Sequence, residues 1–304
     1  NHAHVYEGAQ SVPHRYAGGM TVLLMLSGVS FARYALTTGS AEKIREAAFN
    51  LCKLLALPSI ALVIFSFFYM NQFSLTELLL ISNWFYGDYI ARFPLWYPEI
   101  MVQMLPFVAL LFSIPPFLKL FQRYPLATSI TILAGAVLIR FLLPMWHDTS
   151  GLYHRLPHLF LWNFVLGWVV YYVSAGDQPI ALKIVVIAAA LASGIVGWDP
   201  GGMQGWWLAL AVGLMLLLPN VRLPNPLVQP VTLVSQASFA IFLLHAIGLG
   251  AYRVIFPWDV PEIAFLFAMV GCVAFWILLT SFLRAWRETR KSFATGGKAA
   301  AQAL

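Results

Sequence analysis

Apolar runs of about 18 to 24 residues recur from one end of this 304-residue chain to the other. An α-helix rises 1.5 Å per residue, so runs of that length can cross the roughly 30 Å hydrocarbon core of a bilayer. Hydrophobic residues make up 61% of the chain and charged residues only 10%, against roughly a quarter charged in a soluble domain. A soluble core cannot bury that much apolar surface, so we predict an integral membrane protein.

The fold class is predicted to be all-α, a polytopic bundle of transmembrane helices. The chain lacks the period-two alternation of outer-membrane barrels, so its backbone polar groups must be satisfied within helices. About nine spans are predicted, at Gly18 to Leu36, Phe49 to Tyr69, Leu95 to Leu118, Leu126 to Met145, His158 to Val173, Ile180 to Gly197, Trp206 to Leu218, Val231 to Ile255 and Ile263 to Leu283. The connections between them are too short for a soluble domain, so residues 1–304 are predicted to form one transmembrane domain.

The distribution of lysine and arginine predicts the orientation of the spans. Basic residues concentrate on alternate connections, where the cytoplasmic side is expected: Lys43, Arg45, Lys53, Lys119, Arg123, Lys183, Arg222 and the tail from Arg284. Residues 284–304 are therefore a predicted cytoplasmic tail that attracts anionic lipid. The same alternation places Asn1 outside, so a tenth span is expected before it. The basic residues behind the net charge of +6 are distributed as in a membrane protein, so the charge indicates no nucleic-acid partner.

Ionisable residues in the outer half of the spans are the candidates for function, because each costs a few kcal/mol unless it is paired or hydrated. They are His2, Glu99, Arg140 and His245, with His147, Asp148, His154 and Arg155 in one outer loop. Together they are expected to line an outward-facing polar cavity. A structural ion pair between Glu99 and Arg140 is an equal alternative, and the loop histidines also suit the headgroup region. No metal is predicted, since the histidines and the two cysteines lack ligand spacing.

Several stretches resemble signatures of the membrane acyltransferase type 3 family, in the same order and spacing. They are Asn1-His2-Ala3, the segment from Gly18 to Val29 and the segment from Ser235 to His245. The second resembles the family's "F-F-x-x-S-G-F" at Ser27-Gly28, and the third resembles "S-Y-x-I-Y-L-x-H" with phenylalanine in place of both tyrosines. The segment from Leu95 to Gln103 is similar to "W-F-I-E-x-x-x-Q" of some members. The resemblance spans nearly the whole chain.

The resemblance implies a bacterial inner-membrane enzyme. Such enzymes transfer an acyl group, often acetyl, from cytoplasmic acyl-coenzyme A, a co-substrate, to a hydroxyl of a cell-surface or lipid-linked glycan outside. His2 matches the family's histidine and is the expected general base, with Glu99 setting its tautomer. Arg140, Ser238 or His245 would donate to the carbonyl oxygen as negative charge develops.

The two ligands are expected at opposite ends of the bundle. Ser27, Gly28, Arg33 and Arg45 are the predicted coenzyme A residues, with the arginines on its phosphates and the small residues leaving room for its pantetheine arm. His147, Asp148, His154, Arg155 and Ser238 are the predicted acceptor residues. Close helix packing is the alternative role of Ser27 and Gly28.

Two other classes of function remain open. A transporter or flippase of a lipid-linked saccharide would tolerate replacement of His2, and it would more typically carry inverted repeats with broken helices. A structural or sensor subunit would leave the ionisable residues of the outer half without a purpose.

Overall fold

The structure, a computed structural model, describes residues 19–70, 74–85, 95–142, 156–176, 178–198, 204–218, 220–256 and 260–302. These residues form helices and turns without a strand, so the predicted all-α class is confirmed. The helices are α1 Gly19–Tyr34, α2 Ala41–Met70, α3 Leu75–Leu78, α4 Trp96–Phe112, α5 Pro115–Arg123, α6 Pro125–Leu142, α7 Pro157–Ala175, α8 Ile180–Trp198, α9 Gln204–Leu217, α10 Asn225–Ile255 and α11 Pro261–Gln302. Short 3-10 turns lie at Leu36–Thr38 and Ser82–Trp84.

Proline fixes where several helices begin. Helices α5, α6, α7 and α11 start at Pro115, Pro125, Pro157 and Pro261. The first N–H groups of a helix have no intrahelical partner, so a residue without that hydrogen costs nothing there, and its fixed φ suits the helix.

Six helices in the described residues are long and apolar enough to cross a membrane. They are Thr21–Thr38, Ala41–Phe68, Pro125–Leu142, Pro157–Ala175, Asn225–His245 and Glu262–Trp286. The pair α4 and α5 raises the number to seven if it is one bent span, and the apolar stretches Ile180–Ser193 and Gly205–Leu217 are shorter. Among the described residues, each of the nine predicted spans overlaps at least one helix. This supports a membrane protein, while the count of nine stays a prediction.

The third predicted span, Leu95 to Leu118, is wrong as a single straight helix. Helix α4 ends at Phe112, and α5 leaves it at an angle of 89°. The break follows from Pro115 and Pro116, which cannot donate to the preceding turn. Ser113 closes α4 by donating its N–H to the carbonyls of the last turn.

The chain folds as two compact units. The first carries α1 to α9, and the second, Arg222–Leu304, carries α10 and α11. Large apolar side chains stay exposed in both, for example Phe65 at 50%, Leu138 at 58% and Leu278 at 69%. Such surface is expected where lipid replaces water as the solvent. The prediction of one transmembrane domain remains a prediction.

Helix α7 is the centre of the first unit. Of an 18-residue apolar stretch of α7, 67% is buried, against 17% of the corresponding stretch of α6. Helices α1 and α7 cross at backbone contact, because a Cβ on Gly28 would lie 1.8 Å from the carbonyl oxygen of Phe164, and one on Gly167 would lie 2.1 Å from that of Met25. Only glycine allows this approach.

An aromatic cluster packs around Trp168 in the C-terminal half of α7. The ring of Trp168 contacts Phe31, Phe112, Phe121 and Phe164, with centroids 5.6 to 6.5 Å apart. Phe121 belongs to α5 and is buried, so the bent helix is held against the bundle by edge-on ring packing.

The second unit is a pair of long helices. Helices α10 and α11 pack closely at Gly248, where a Cβ would lie 2.9 Å from the Cα of Ala268. Helix α11 extends past the predicted span through the basic tail as far as Gln302. The cytoplasmic location of that tail stays a prediction.

Candidate functional site

A short folded segment, residues 74–85, packs on the first turns of α4. Ser74 caps α3 by accepting the N–H of Glu77 at 3.3 Å. The helix ends as Leu80 takes a left-handed φ of 55° and the N–H of Ile81 donates to the carbonyl of Thr76 at 2.9 Å. Glycine is usual at this position, and a branched side chain there costs on the order of 1 kcal/mol. Tertiary contacts must therefore hold the segment in place.

The central contact is made by Glu99. Its side chain is 0% exposed, and its Oε1 accepts both the backbone N–H of Ser82 at 3.3 Å and the hydroxyl of Ser82 at 2.5 Å. Within the described part of the chain, Oε2 has no hydrogen-bond partner. A buried carboxylate oxygen without a donor is costly. Glu99 is thus a fixed acceptor with one oxygen available for a further group.

Gln103 secures the same segment one turn further along α4. Its Nε2 donates to the carbonyl of Leu80 at 2.7 Å and to Oδ1 of Asn83 at 2.9 Å, and its Oε1 accepts the indole N–H of Trp84 at 2.7 Å. Glu99 and Gln103 are four residues apart and share one helix face. The spacing of glutamate and glutamine thus has a local purpose, because both side chains bind the turn at Ser82–Trp84.

Two neighbouring helices close around this segment. On α7, the ring of His158 lies 5.8 Å from Trp84, and Phe160 lies 6.4 Å from Trp96. On α1, Ser27 donates its hydroxyl to the carbonyl of Leu23 at 2.8 Å. That leaves the hydroxyl of Tyr97 as the donor in its 2.7 Å bond to Ser27 Oγ. Ser27 therefore links α1 to α4 two residues before Glu99.

A cavity of about 390 Å³ opens at the other end of α1 and α7. It is lined by Val29, Arg33, Tyr171, Ser174, Ala175, Leu214, Met215 and Leu218. Among the described lining residues, Arg33 is the charged one, and it is exposed. Val29 lies two residues from Ser27, a rise of about 3 Å along α1. Side chains two residues apart on a helix point to opposite sides, so the cavity and the bond between Ser27 and Tyr97 lie on different faces of α1.

The predicted coenzyme A residues divide between three places. Arg33 lines the cavity. Ser27 is not a lining residue and bonds to Tyr97 on α4. Arg45 is exposed on the first turns of α2 and is not a lining residue. The expectation that Gly28 leaves room for a pantetheine arm is wrong, because the carbonyl of Phe164 fills that space. Helix packing, the alternative role of Gly28, is the observed one.

Arg140 lies on the last turn of α6 and is half-buried. The ion pair between Arg140 and Glu99 is not formed, since the hydrogen bonds to the carboxylate come from Ser82 and the described residues offer no donor to Oε2. The alternative role of Glu99 as the ion-pair partner of Arg140 is therefore not observed, and its observed hydrogen bonds bind Ser82 to α4.

Two further predicted residues belong to the second unit. His245 hydrogen-bonds through Nδ1 to the carbonyl of Phe242 on its own helix at 2.6 Å. Ser238 lies two turns earlier on α10 and is exposed. His2, His147, Asp148, His154 and Arg155 lie outside the described residues, so their roles stay predictions.

Sequence reasoning missed the partners of Glu99. Ser82, Asn83 and Trp84 stand in a connection rich in ordinary turn residues, and nothing in their spacing relates them to α4. The one signal was the glutamine four residues after Glu99. It indicates that a polar segment must cover this face of α4, because the acid of Glu99 and the amide of Gln103 lie on adjacent turns and both need hydrogen-bond partners.

No family model, curated protein or solved structure matches this chain. The resemblance to the acyltransferase type 3 family therefore stays a prediction from the sequence motifs.

Proposed function

We propose that the protein is an integral membrane acyltransferase. It moves an acyl group, with acetyl as the first candidate, from cytoplasmic acyl-coenzyme A to a hydroxyl of a cell-surface or lipid-linked glycan on the outer side. The observation that carries this proposal is Glu99, a fully buried carboxylate that Ser82 holds by one oxygen while the other is available. Such an acceptor suits a catalytic imidazole, because it fixes the tautomer and stabilises the imidazolium.

The proposed reaction uses His2 as the base. Its neutral imidazole accepts the proton of the sugar hydroxyl while the hydroxyl oxygen attacks the thioester carbonyl carbon. The carbon–sulfur bond then breaks, the acyl group stays on the sugar oxygen, and coenzyme A leaves with a proton returned to its sulfur. Arg140, Ser238 and His245 are the proposed donors to the carbonyl oxygen.

The inner cavity is the proposed entry of the acyl donor. Arg33 stands at its mouth for a phosphate group, with Arg45 nearby in sequence. The cavity borders α1 at Val29 and Arg33, whereas Ser27 lies on another face of that helix. Because Gly28 and Gly167 close the crossing of α1 and α7, the arm must pass beside that crossing.

The finer features of the topology belong to this proposal. We propose nine spans in residues 1–304, a tenth before Asn1, a bacterial inner membrane and a cytoplasmic C-terminus. The acceptor would then meet His147, Asp148, His154 and Arg155 on the outer side.

The test is release of free coenzyme A from acetyl-coenzyme A by the full-length protein in liposomes that contain a glycan-lipid extract. Release by the wild type, lost in His2→Ala and lowered by about 100-fold or more in Glu99→Gln, is the expected result. Glu42→Gln, an exposed acid on α2, is the matched control and should keep wild-type release. Equal release by wild type and empty liposomes, with folded protein verified, would instead favour the transporter.

A further inference from the structure

Helix α7 carries a second buried polar group, Asn163, in the middle of the first unit. Its side chain is 0% exposed, and neither Oδ1 nor Nδ2 has a hydrogen-bond partner among the described residues. A primary amide has two donor hydrogens and one acceptor oxygen. Leaving all of them unmet inside a membrane bundle is expensive, since neither water nor lipid replaces the lost bonds.

Asn163 and Glu99 lie near one contact between α4 and α7. These helices run in the same direction, because Trp96 contacts Phe160 and, further along both helices, Phe112 contacts Trp168. Glu99 on α4 and Asn163 on α7 each lie three residues, about one turn, beyond the first of these contacts.

Helix α1 adds a third polar position near this contact. Gly28 touches the carbonyl of Phe164, the residue after Asn163, and Ser27 bonds to Tyr97. We name Ser27, Tyr97, Glu99 and Asn163 the polar layer. In it, one carboxylate oxygen and one whole amide are buried without partners in the described structure, on two different helices.

The polar layer stands above the inner cavity. On α7, the cavity residues Tyr171 and Ser174 follow Asn163 by eight and eleven residues, spacings that return to the same helix face. Gly167 occupies that face between them, at the contact with α1. Because the helices are in backbone contact there, a ligand from the cavity reaches Asn163 only by passing beside this crossing.

We propose that Asn163 is a ligand-binding residue whose side-chain amide pairs with a carbonyl or amide of a ligand in the polar layer. This inference rests on the proposed function, under which the ligand is the thioester and pantetheine end of acyl-coenzyme A. Pantetheine carries amide groups that both donate and accept, which matches the two unmet halves of Asn163. An apolar core residue of the same size would serve packing better, so the asparagine is explained by what it binds.

The experiment measures binding of acetyl-coenzyme A to the purified full-length protein together with its thermal stability. Asn163→Leu keeps the branched shape and the number of heavy atoms and removes the amide. We expect acetyl-coenzyme A affinity to fall about tenfold, the loss of one or two hydrogen bonds, while the melting temperature of the ligand-free protein stays equal or rises. Trp162→Phe is the matched control, because it removes a buried indole N–H that also has no described partner but faces the apolar core.

Each outcome decides the proposal. Unchanged affinity in Asn163→Leu, with a raised melting temperature, overturns it and leaves Asn163 as an unsatisfied amide without a ligand. Wild-type protein that does not bind acetyl-coenzyme A overturns the proposed function and this inference with it. If the leucine variant does not fold, Asn163→Ala, which cannot overpack, provides the same comparison.

Discussion

At the scale of the residue, the site depends on how Ser82 holds Glu99. Ser82 donates to Oε1 of the carboxylate through both its backbone N–H and its hydroxyl. A hydrogen bond to a charged group contributes about 1.5 to 3 kcal/mol. The hydroxyl of Ser82 therefore fixes the direction of Glu99 as much as it stabilises the fold.

Replacing Ser82 with alanine should lower coenzyme A release by about tenfold while the protein still folds, because Oε1 keeps the backbone N–H but loses the stronger hydroxyl donor. Release is measured in the same liposomes as for Glu99→Gln. Ser113→Ala is the control, since that serine donates only to Ala109 of its own helix. Equal losses in both variants would show that Ser82 has no special part.

The two predicted phosphate contacts also differ at this scale. Arg33 lines the cavity, whereas Arg45 is exposed elsewhere on α2. We expect Arg33→Ala to weaken acetyl-coenzyme A binding about tenfold and Arg45→Ala to weaken it by no more than about twofold, since an exposed charge away from the ligand is screened by salt. A greater loss for Arg45→Ala would move the phosphate site to α2.

At the scale of the element, the glycine contact between α1 and α7 positions the polar layer. Gly28→Ala should destabilise the protein by at least about 2 kcal/mol, because its Cβ would overlap the backbone of Phe164, which cannot rotate away. Gly135→Ala on α6 is the matched control: a Cβ there meets nothing within 4 Å, so the protein should gain up to about 1 kcal/mol. Thermal unfolding in detergent measures both, and equal effects would refute the contact.

The elements show what sequence could and could not predict. Every span that was predicted from apolar length overlaps a helix among the described residues, and four helices begin at a proline. The bend between α4 and α5 was not predicted, although Pro115 and Pro116 stand at it. Hydropathy averaged over a span-length stretch does not register a break of two residues. The fold of residues 74–85 on α4 depends on contacts 17 to 23 residues apart, which no local pattern encodes.

At the scale of the whole molecule, the open question is whether α8 and α9 cross the membrane. Helix α9 has 14 residues, a length of about 21 Å against roughly 30 Å of hydrocarbon. The distribution of charge nevertheless predicts Lys183 inside and Asp199 outside. Two crossings reconcile these facts only if the bilayer thins or neighbouring residues extend the span.

A cysteine at position 199 tests the crossing. In a background with Cys52 and Cys272 replaced by alanine, Asp199→Cys should react with an impermeant thiol reagent added outside sealed cells, and Lys43→Cys should not. If neither helix crosses, position 199 lies on the same side as Lys183 and stays unlabelled. Label at position 43 from the outside would reverse the whole orientation.

The cavity lined by Arg33 has a different kind of structure on each of two sides. On one side, α1 and α7 are in backbone contact at Gly28 and Gly167 and cannot separate without breaking the core. On the other side lie Leu214 and Met215 of α9 and Leu218, the residue after that helix. Methionine is unbranched and adapts its shape readily. Under the proposed function, we therefore expect acyl donors of different length to be accommodated on the side of α9, with Met215 as the residue at which that selectivity can be engineered.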